Sequence, residues 1–210
     1  FALTKVGVGS ISTTREMVSG LVTLPGGILA DVFRRHWGLI LALCMGGFGV
    51  GWFIIGLTPE SFFPLLLVGV AVVAAAASLW HLPAMASLSH HYSHRRGTAL
   101  SFHGIGGNIG DAVSPVITGL LLGYLLWNQI LTIYAGIPIF VAFLVYWAFK
   151  NIGHDVNQEN HDLRESNRGR LEQTRAILRN PLLWAITLVG GIRGMAFVAL
   201  ITFLPSYLSN

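Results

Sequence analysis

The chain has 210 residues, of which only 10% are charged and 53% are hydrophobic. A typical soluble domain carries about 25% charged residues, so this composition excludes a water-soluble globular fold: there is too little polar surface to clothe one. A formal net charge of +4 and a pI near 9.6 do not imply nucleic acid, because the basic residues are split among several loops rather than gathered in one stripe.

Residue 1 is Phe rather than Met, no stretch combines a basic start with a signal-peptide cleavage site, and the end at Asn210 directly follows an apolar run. The chain is therefore read as an internal piece of a longer protein. Its single cysteine, Cys44, lies in an apolar run and leaves no intrachain disulfide and no cysteine-based metal site. No metal and no cofactor are expected.

A bilayer core is crossed by about 20 apolar residues in a helix, and six segments qualify in chain order. The first, Gly7–Ala30, is the most polar. Its outer half contains "GSISTTREMVSG" (Gly9–Gly20), with five hydroxyl side chains and the pair Arg15–Glu16. Trp37–Leu57 has no charge. Phe62–Met85 has only His81 as a titratable group, read as a residue packed near a helix end beside Trp80 and Pro83. Thr98–Trp127 carries Asp111 as its one charge, Ile130–Phe149 has none, and Pro181–Leu208 has only Arg193. The one long hydrophilic connection is Lys150–Asn180, where Leu163, Leu171, Ile177 and Leu178 are spaced for a short helix at the membrane surface. The expected class is all-α, a polytopic helical membrane protein.

Strict alternation of these spans sends Arg34, Arg35, Arg95, Arg96, Lys150, Arg164, Arg168, Arg170, Arg175 and Arg179 to one side. Lys5 stands alone on the other, while Arg15 and Arg193 lie within spans. Such an asymmetry marks the basic side as cytoplasmic. The multi-pass protein is then expected in the plasma (inner) membrane.

Four charges fall inside spans: Arg15, Glu16, Asp111 and Arg193. A central Arg or Asp costs about 2.5–3.5 kcal/mol even on insertion scales, and such residues face a bundle interior or a wet cavity. They lie at similar depths, the level at which transporters hold solute and coupling ions. On the fourth span His103, Gly107, Asp111, Ser114 and Thr118 follow steps of four, four, three and four, one polar stripe. Ser12, Glu16, Ser19 and Thr23 make a similar stripe on the first. Thr187, Gly190, Gly191 and Gly194 leave room around Arg193. Two blander roles stay open: Arg15 and Glu16 can snorkel at the outer interface, and Asp111 can serve as a structural partner for another helix. The fourth-span glycines Gly104, Gly106, Gly107 and Gly110 are expected to be offset by close helix contact. Gly47 and Gly51 have GxxxG spacing, and Pro115 is expected to bend its helix.

Two stretches carry a resemblance. "GGILADVFRRH" (Gly26–His36) resembles the G-x-L-A-D-[RK]-x-G-R-[RK] signature of major facilitator superfamily transporters. Gly27, Leu29, Ala30, Asp31 and Arg35 agree with it, while Val32 and Arg34 depart. "GDAVSPVITG" (Gly110–Gly119) is similar to the G-x-x-x-G-P-x-x-G-G element of proton-coupled exporters in that superfamily. Gly110, Pro115 and Gly119 agree, and Ser114 and Thr118 stand where glycines are usual. The run from Trp80 to Pro115 is similar to the fosmidomycin-resistance branch. The resemblance implies helices two to seven of a partial twelve-helix fold: an N-terminal bundle over 1–149, a central cytoplasmic loop over 150–180, and the first helix of the C-terminal bundle over 181–210. It also implies a cytoplasmic gate at Gly27, Asp31 and Arg35, and a helix-five bend at Gly110, Ser114, Pro115 and Gly119.

The expected function is secondary active transport of a small organic solute by alternating access. The two membrane arginines favour an anionic or zwitterionic solute, since guanidinium grips carboxylate or phosphonate through paired hydrogen bonds. Arg15, Glu16, His103, Asp111 and Arg193 are the substrate and proton-coupling candidates, with Asp111 assigned to coupling and Arg193 to substrate. Proton antiport with efflux is favoured over uptake. The alternatives are proton-driven efflux of hydrophobic or cationic drugs and a non-transporting receptor on the same fold. The chain is not read as an enzyme: it has no H-E-x-x-H, G-x-S-x-G or P-loop. "HHYSH" (His90–His94) is read as a polar turn rather than a metal site. Expected partners are the solute, protons and the lipid bilayer, with no nucleic acid, and the protein is expected to be monomeric.

Overall fold

The computed structural model describes residues 4–152, 175–176 and 178–208. Among them are six long helices and no strand: α1 (Lys5–Val32), α2 (Trp37–Leu57), α3 (Phe63–His91), α4 (Arg96–Leu122), α5 (Trp127–Phe149) and α6 (Pro181–Leu208). Single 3₁₀ turns, Arg34–His36 and Ser93–Arg95, precede α2 and α4. The surface helix expected in Lys150–Asn180 rests on Leu163, Leu171 and Ile177, which lie outside the described residues, as do Arg164, Arg168 and Arg170.

Five helical segments are long and apolar enough to cross a bilayer: Arg34–Leu57, Phe63–His91, Ser93–Leu122, Trp127–Phe149 and Pro181–Leu204. The sixth expected crossing, α1, is a continuous 28-residue helix, about 42 Å long at 1.5 Å per residue. It does not join the other five on apolarity, because hydroxyls and the Arg15–Glu16 pair dilute its outer half. Two predicted bounds also shift. α3 runs through Pro83 to His91, well past the expected end at Met85. Trp127 opens α5 rather than closing α4, since the backbone N–H of Leu126 donates to Oε1 of Gln129 at 3.0 Å and so starts a new helix there.

The chain divides into two compact units. In the larger, from Thr13 through α5, the centre is α2, packed between α3 and α5. α2 can hold that place because its glycines admit both neighbours. A Cβ on Gly51 would lie 2.6 Å from the Val73 side chain and 3.0 Å from the Gly69 carbonyl of α3. On another face of α2, a Cβ on Gly49 would meet the Ala135 carbonyl and the Ile139 side chain of α5, each at 2.6 Å. Leu41, Ala42, Ala84 and Val145 form the buried cluster between these helices, with Met45, Trp80 and Val141 against it. α1 touches α3 through Gly26, where a Cβ would stand 2.6 Å from Leu79 and 2.8 Å from Leu82.

The ends of these helices are in register. The ring of Trp37, first residue of α2, lies 6.5 Å from that of His90 near the end of α3, and the backbone of Gly38 abuts the carbonyl of Phe149 at the end of α5. Arg34, Arg35, Arg95, Arg96 and Lys150 therefore share one end of the unit. The connections at the other end, 58–62 and 123–126, contain no Lys or Arg. In the smaller unit the start of α1 meets α6: the hydroxyls of Ser12 and Thr202 are 3.1 Å apart, and Gly9 faces the Phe203 ring.

Candidate functional site

α4 carries the polar stripe. A 27-residue helix spans about 40 Å, and Asp111 is its sixteenth residue, near the middle. The helix continues through Pro115, whose missing N–H deprives the carbonyl of Asp111, four residues earlier, of its usual partner. Asp111 thus offers a carboxylate and a released backbone acceptor at one level. Its side chain is exposed and makes no hydrogen bond or ion pair among the described residues.

The two ends of the stripe are tied to neighbouring helices. Towards the basic end, His103 of α4 faces His81 of α3, with Nε2 and Nδ1 3.5 Å apart and the rings edge to face at 5.7 Å and 81°. Towards the other end, the Thr118 hydroxyl is 2.9 Å from the Tyr134 hydroxyl of α5 and also donates to the Ser114 carbonyl at 2.7 Å. Between these ties α4 is open. Gly104, Gly106, Gly107, Gly110 and Gly119 have nothing within 4 Å of a built Cβ among the described residues. The close helix contact expected at Gly104–Gly110 is absent there, because no described helix lies over that face.

Arg15 and Glu16 pair with each other at 3.6 Å, both well exposed. Contact between sequence neighbours neutralises their charge without recruiting a second helix. Thr23 donates to the Ser19 carbonyl at 2.6 Å, so that end of the α1 stripe is satisfied within the helix. Arg193 is exposed midway along α6, and Gly190, Gly191 and Gly194 beside it have nothing within 4 Å of a built Cβ among the described residues. In the gate motif, Asp31 pairs with Arg34 at 3.6 Å. Arg35, the residue matching the signature, is exposed, and Gly27 has nothing within 4 Å of a built Cβ among the described residues. Behind them, the Trp37 indole N–H donates to the Ala30 carbonyl at 2.8 Å, closing the turn between α1 and α2. His90, of the "HHYSH" stretch, is occupied by ring contacts with Trp37 and His91. Nδ1 of His91 lies 3.0 Å from the Ser87 carbonyl.

His81 is the residue that sequence reasoning misplaced. It sits well inside α3, ten residues from its end. The usable signal was its distance from the Ser93–Arg95 turn: His81 lies twelve residues before it and His103 eight after, close to level in two helices joined by a tight turn.

The family profile of the Major Facilitator Superfamily matches residues 1–210. The enterobactin exporter EntS of Escherichia coli O1:K1 is 29% identical over 201 residues, covering 91% of this chain and 45% of that protein. EntS of Shigella boydii serotype 18 gives the same figures. The fosmidomycin resistance protein of Escherichia coli K12 is 25% identical over 122 residues, 58% of this chain and 29% of that protein. The chain thus spans less than half the length of these relatives. No solved structure matches it.

Proposed function

The chain belongs to the major facilitator superfamily, and from that premise we propose that the protein it forms part of is a proton-coupled secondary transporter that exports a small anionic or zwitterionic organic solute by alternating access. The multi-pass membrane architecture is given by the apolar helices. The observation that carries the proposal is Asp111, a carboxylate at the centre of a membrane helix with no partner among the described residues.

A carboxylate removed from water is relieved of its charge by taking up a proton, and in a membrane helix such a group marks an ion path by default. Asp111 is the residue assigned to coupling, with His103 on the same helix face. Arg193 is assigned to the solute, because a guanidinium in apolar surroundings offers a fork of donors to carboxylate, phosphate or phosphonate. Arg15 and Glu16 form a mutually neutralised pair that a charged solute can compete for. Export is favoured by the relative EntS being an exporter and by the proline-bearing element of α4. Gly27, Asp31 and Arg35 are assigned to the cytoplasmic gate, and Gly110, Ser114, Pro115 and Gly119 to the bend. We place the protein, as a monomer, in a bacterial inner membrane.

The test uses the full-length protein in proteoliposomes with an entrapped pH dye. Small carboxylates and phosphonates, zwitterions and lipophilic cations are added in turn to wild type, Asp111→Asn and Arg193→Ala. The expected result is proton flux evoked by anions or zwitterions, lost in Asp111→Asn, with a raised half-saturating concentration in Arg193→Ala. Flux evoked by cations alone would move the protein to drug efflux. Solute binding without flux would make it a receptor.

A further inference from the structure

We propose that His81 and His103 together form a proton-binding station that also clasps α4 to α3. The inference starts from how α4 is held. Among the described residues the glycine-rich face of α4 is open, and its side-chain polar ties to neighbouring helices are Thr118 with Tyr134 and His103 with His81. The first joins two hydroxyls. The second joins two imidazoles, the side chain whose charge changes in the physiological range.

Proton counting gives the clasp three states. With both rings neutral, one donates N–H and the other accepts; the 3.5 Å separation is at the outer limit for such a bond. One added proton leaves one ring an imidazolium and the other an acceptor, so the bond becomes charge-assisted, shorter and stronger. A second added proton occupies the last free ring nitrogen. No acceptor is then left, two positive rings face each other, and the contact opens. The station therefore tightens with its first proton and releases α4 with its second.

The surroundings leave the pair to itself. On α3 the nearest titratable groups, His90 and His91, lie more than two turns away. On α4 Asp111 is eight residues ahead on the same face, and Arg96 seven behind. The element approaching α3 beside His81 is α1, at Gly26, and its nearby carboxylate, Asp31, is occupied by Arg34. α2 offers only Cys44, and α5 only Tyr134 and Tyr146. None of these pairs with either ring among the described contacts. Pro83, two residues beyond His81, and Pro115 on α4 interrupt the backbone ladders of both helices, which lowers the cost of bending them apart.

The inference deepens the proton-coupled reading and rests on it for its role in transport, but its test needs no solute. Full-length protein freed of native cysteines (Cys44→Ser here) is spin-labelled at Met85→Cys and Phe102→Cys, both exposed positions on α3 and α4. The label distance is read in lipid at about pH 8, about pH 6 and about pH 4, above, within and below the histidine range. The expected result is a distance that holds or shortens near about pH 6 and lengthens near about pH 4, the acid lengthening being lost in both His81→Gln and His103→Gln and kept in Thr118→Val, with all variants monodisperse on gel filtration. A distance independent of pH in the unsubstituted pair, or a response that survives either glutamine substitution, overturns the station. A pH response in a protein that shows no proton-coupled flux would uphold the station and sink the proposed function instead.

Discussion

At the scale of single residues, the side chains that matter most are those whose polar atoms have a defined fate. Trp37 is 3% exposed, packs its ring near His90 and donates to the Ala30 carbonyl. It fixes the turn on which Asp31 and Arg34 sit. Trp37→Phe keeps most of the ring but removes the donor, which costs about 0.5–1.5 kcal/mol. Trp37→Ala also leaves a cavity, for about 3–5 kcal/mol. Thermal unfolding of the full-length protein in detergent should rank wild type above Trp37→Phe above Trp37→Ala; equal stability of the first two would show that the hydrogen bond contributes nothing. The Asp31–Arg34 pair differs in kind. Both partners are substantially exposed, and exposed ion pairs contribute little to stability, so breaking it should leave thermal unfolding near that of wild type, and a loss of flux at unchanged stability would support the proposed gate. Here the sequence was a partial guide. It named Asp31 and Arg35 from the signature, whereas the structure pairs Asp31 with Arg34, because in this chain a second arginine occupies the position where the signature has glycine.

At the scale of helices, glycine has two meanings that composition cannot separate. Gly47 and Gly51, read only as a spacing in the sequence, face Ala76, Val73 and Gly69 of α3 and set how closely α2 and α3 approach. Gly107, equally conspicuous in the sequence, faces nothing described. The contrast is measurable. Gly51→Ala pushes a methyl towards backbone atoms of Val73 and Gly69, which cannot turn aside as a flexible side chain can, and should destabilise by about 1–3 kcal/mol. Gly107→Ala meets no such obstacle and removes a residue about 1 kcal/mol less helix-favouring than alanine in water, so it should unfold no earlier than wild type. If Gly107→Ala retains stability and loses flux, its face serves solute or a moving helix; if it unfolds as early as Gly51→Ala, a static partner covers it. The existence of the five apolar helices was legible because apolar run length determines it. The site was legible only along each helix: steps of three and four placed His103, Asp111 and Thr118 on one face, but no periodicity within α4 could say that His81 of α3 or Tyr134 of α5 would meet them.

At the scale of the whole molecule, charge sorts by end. The sequence alone assigned sides by assuming that every predicted span crosses. In the larger unit the structure replaces that assumption with contacts, because Trp37 meets His90 and Gly38 meets Phe149 at the end that holds Arg34, Arg35, Arg95, Arg96 and Lys150. Retention of basic loops on the cytoplasmic side then orients the unit. The first helix stays the weakest point of this scheme, since its polar outer half keeps it out of the apolar set. The orientation can be tested without knowing any solute. Cys44 is 5% exposed and gives little background, so single cysteines can be placed at Ser61, between α2 and α3, and at Ser93, between α3 and α4. In intact cells a membrane-impermeant maleimide should label full-length Ser61→Cys and spare Ser93→Cys until the membrane is permeabilised. Thr4→Cys extends the test to α1: if α1 crosses, its start lies opposite the basic end and Thr4→Cys labels like Ser61→Cys. Labelling of Thr4→Cys only after permeabilisation, with the other two behaving as expected, would show that α1 does not cross, and the described part of the N-terminal bundle would have to be redrawn around four spans, α2 to α5.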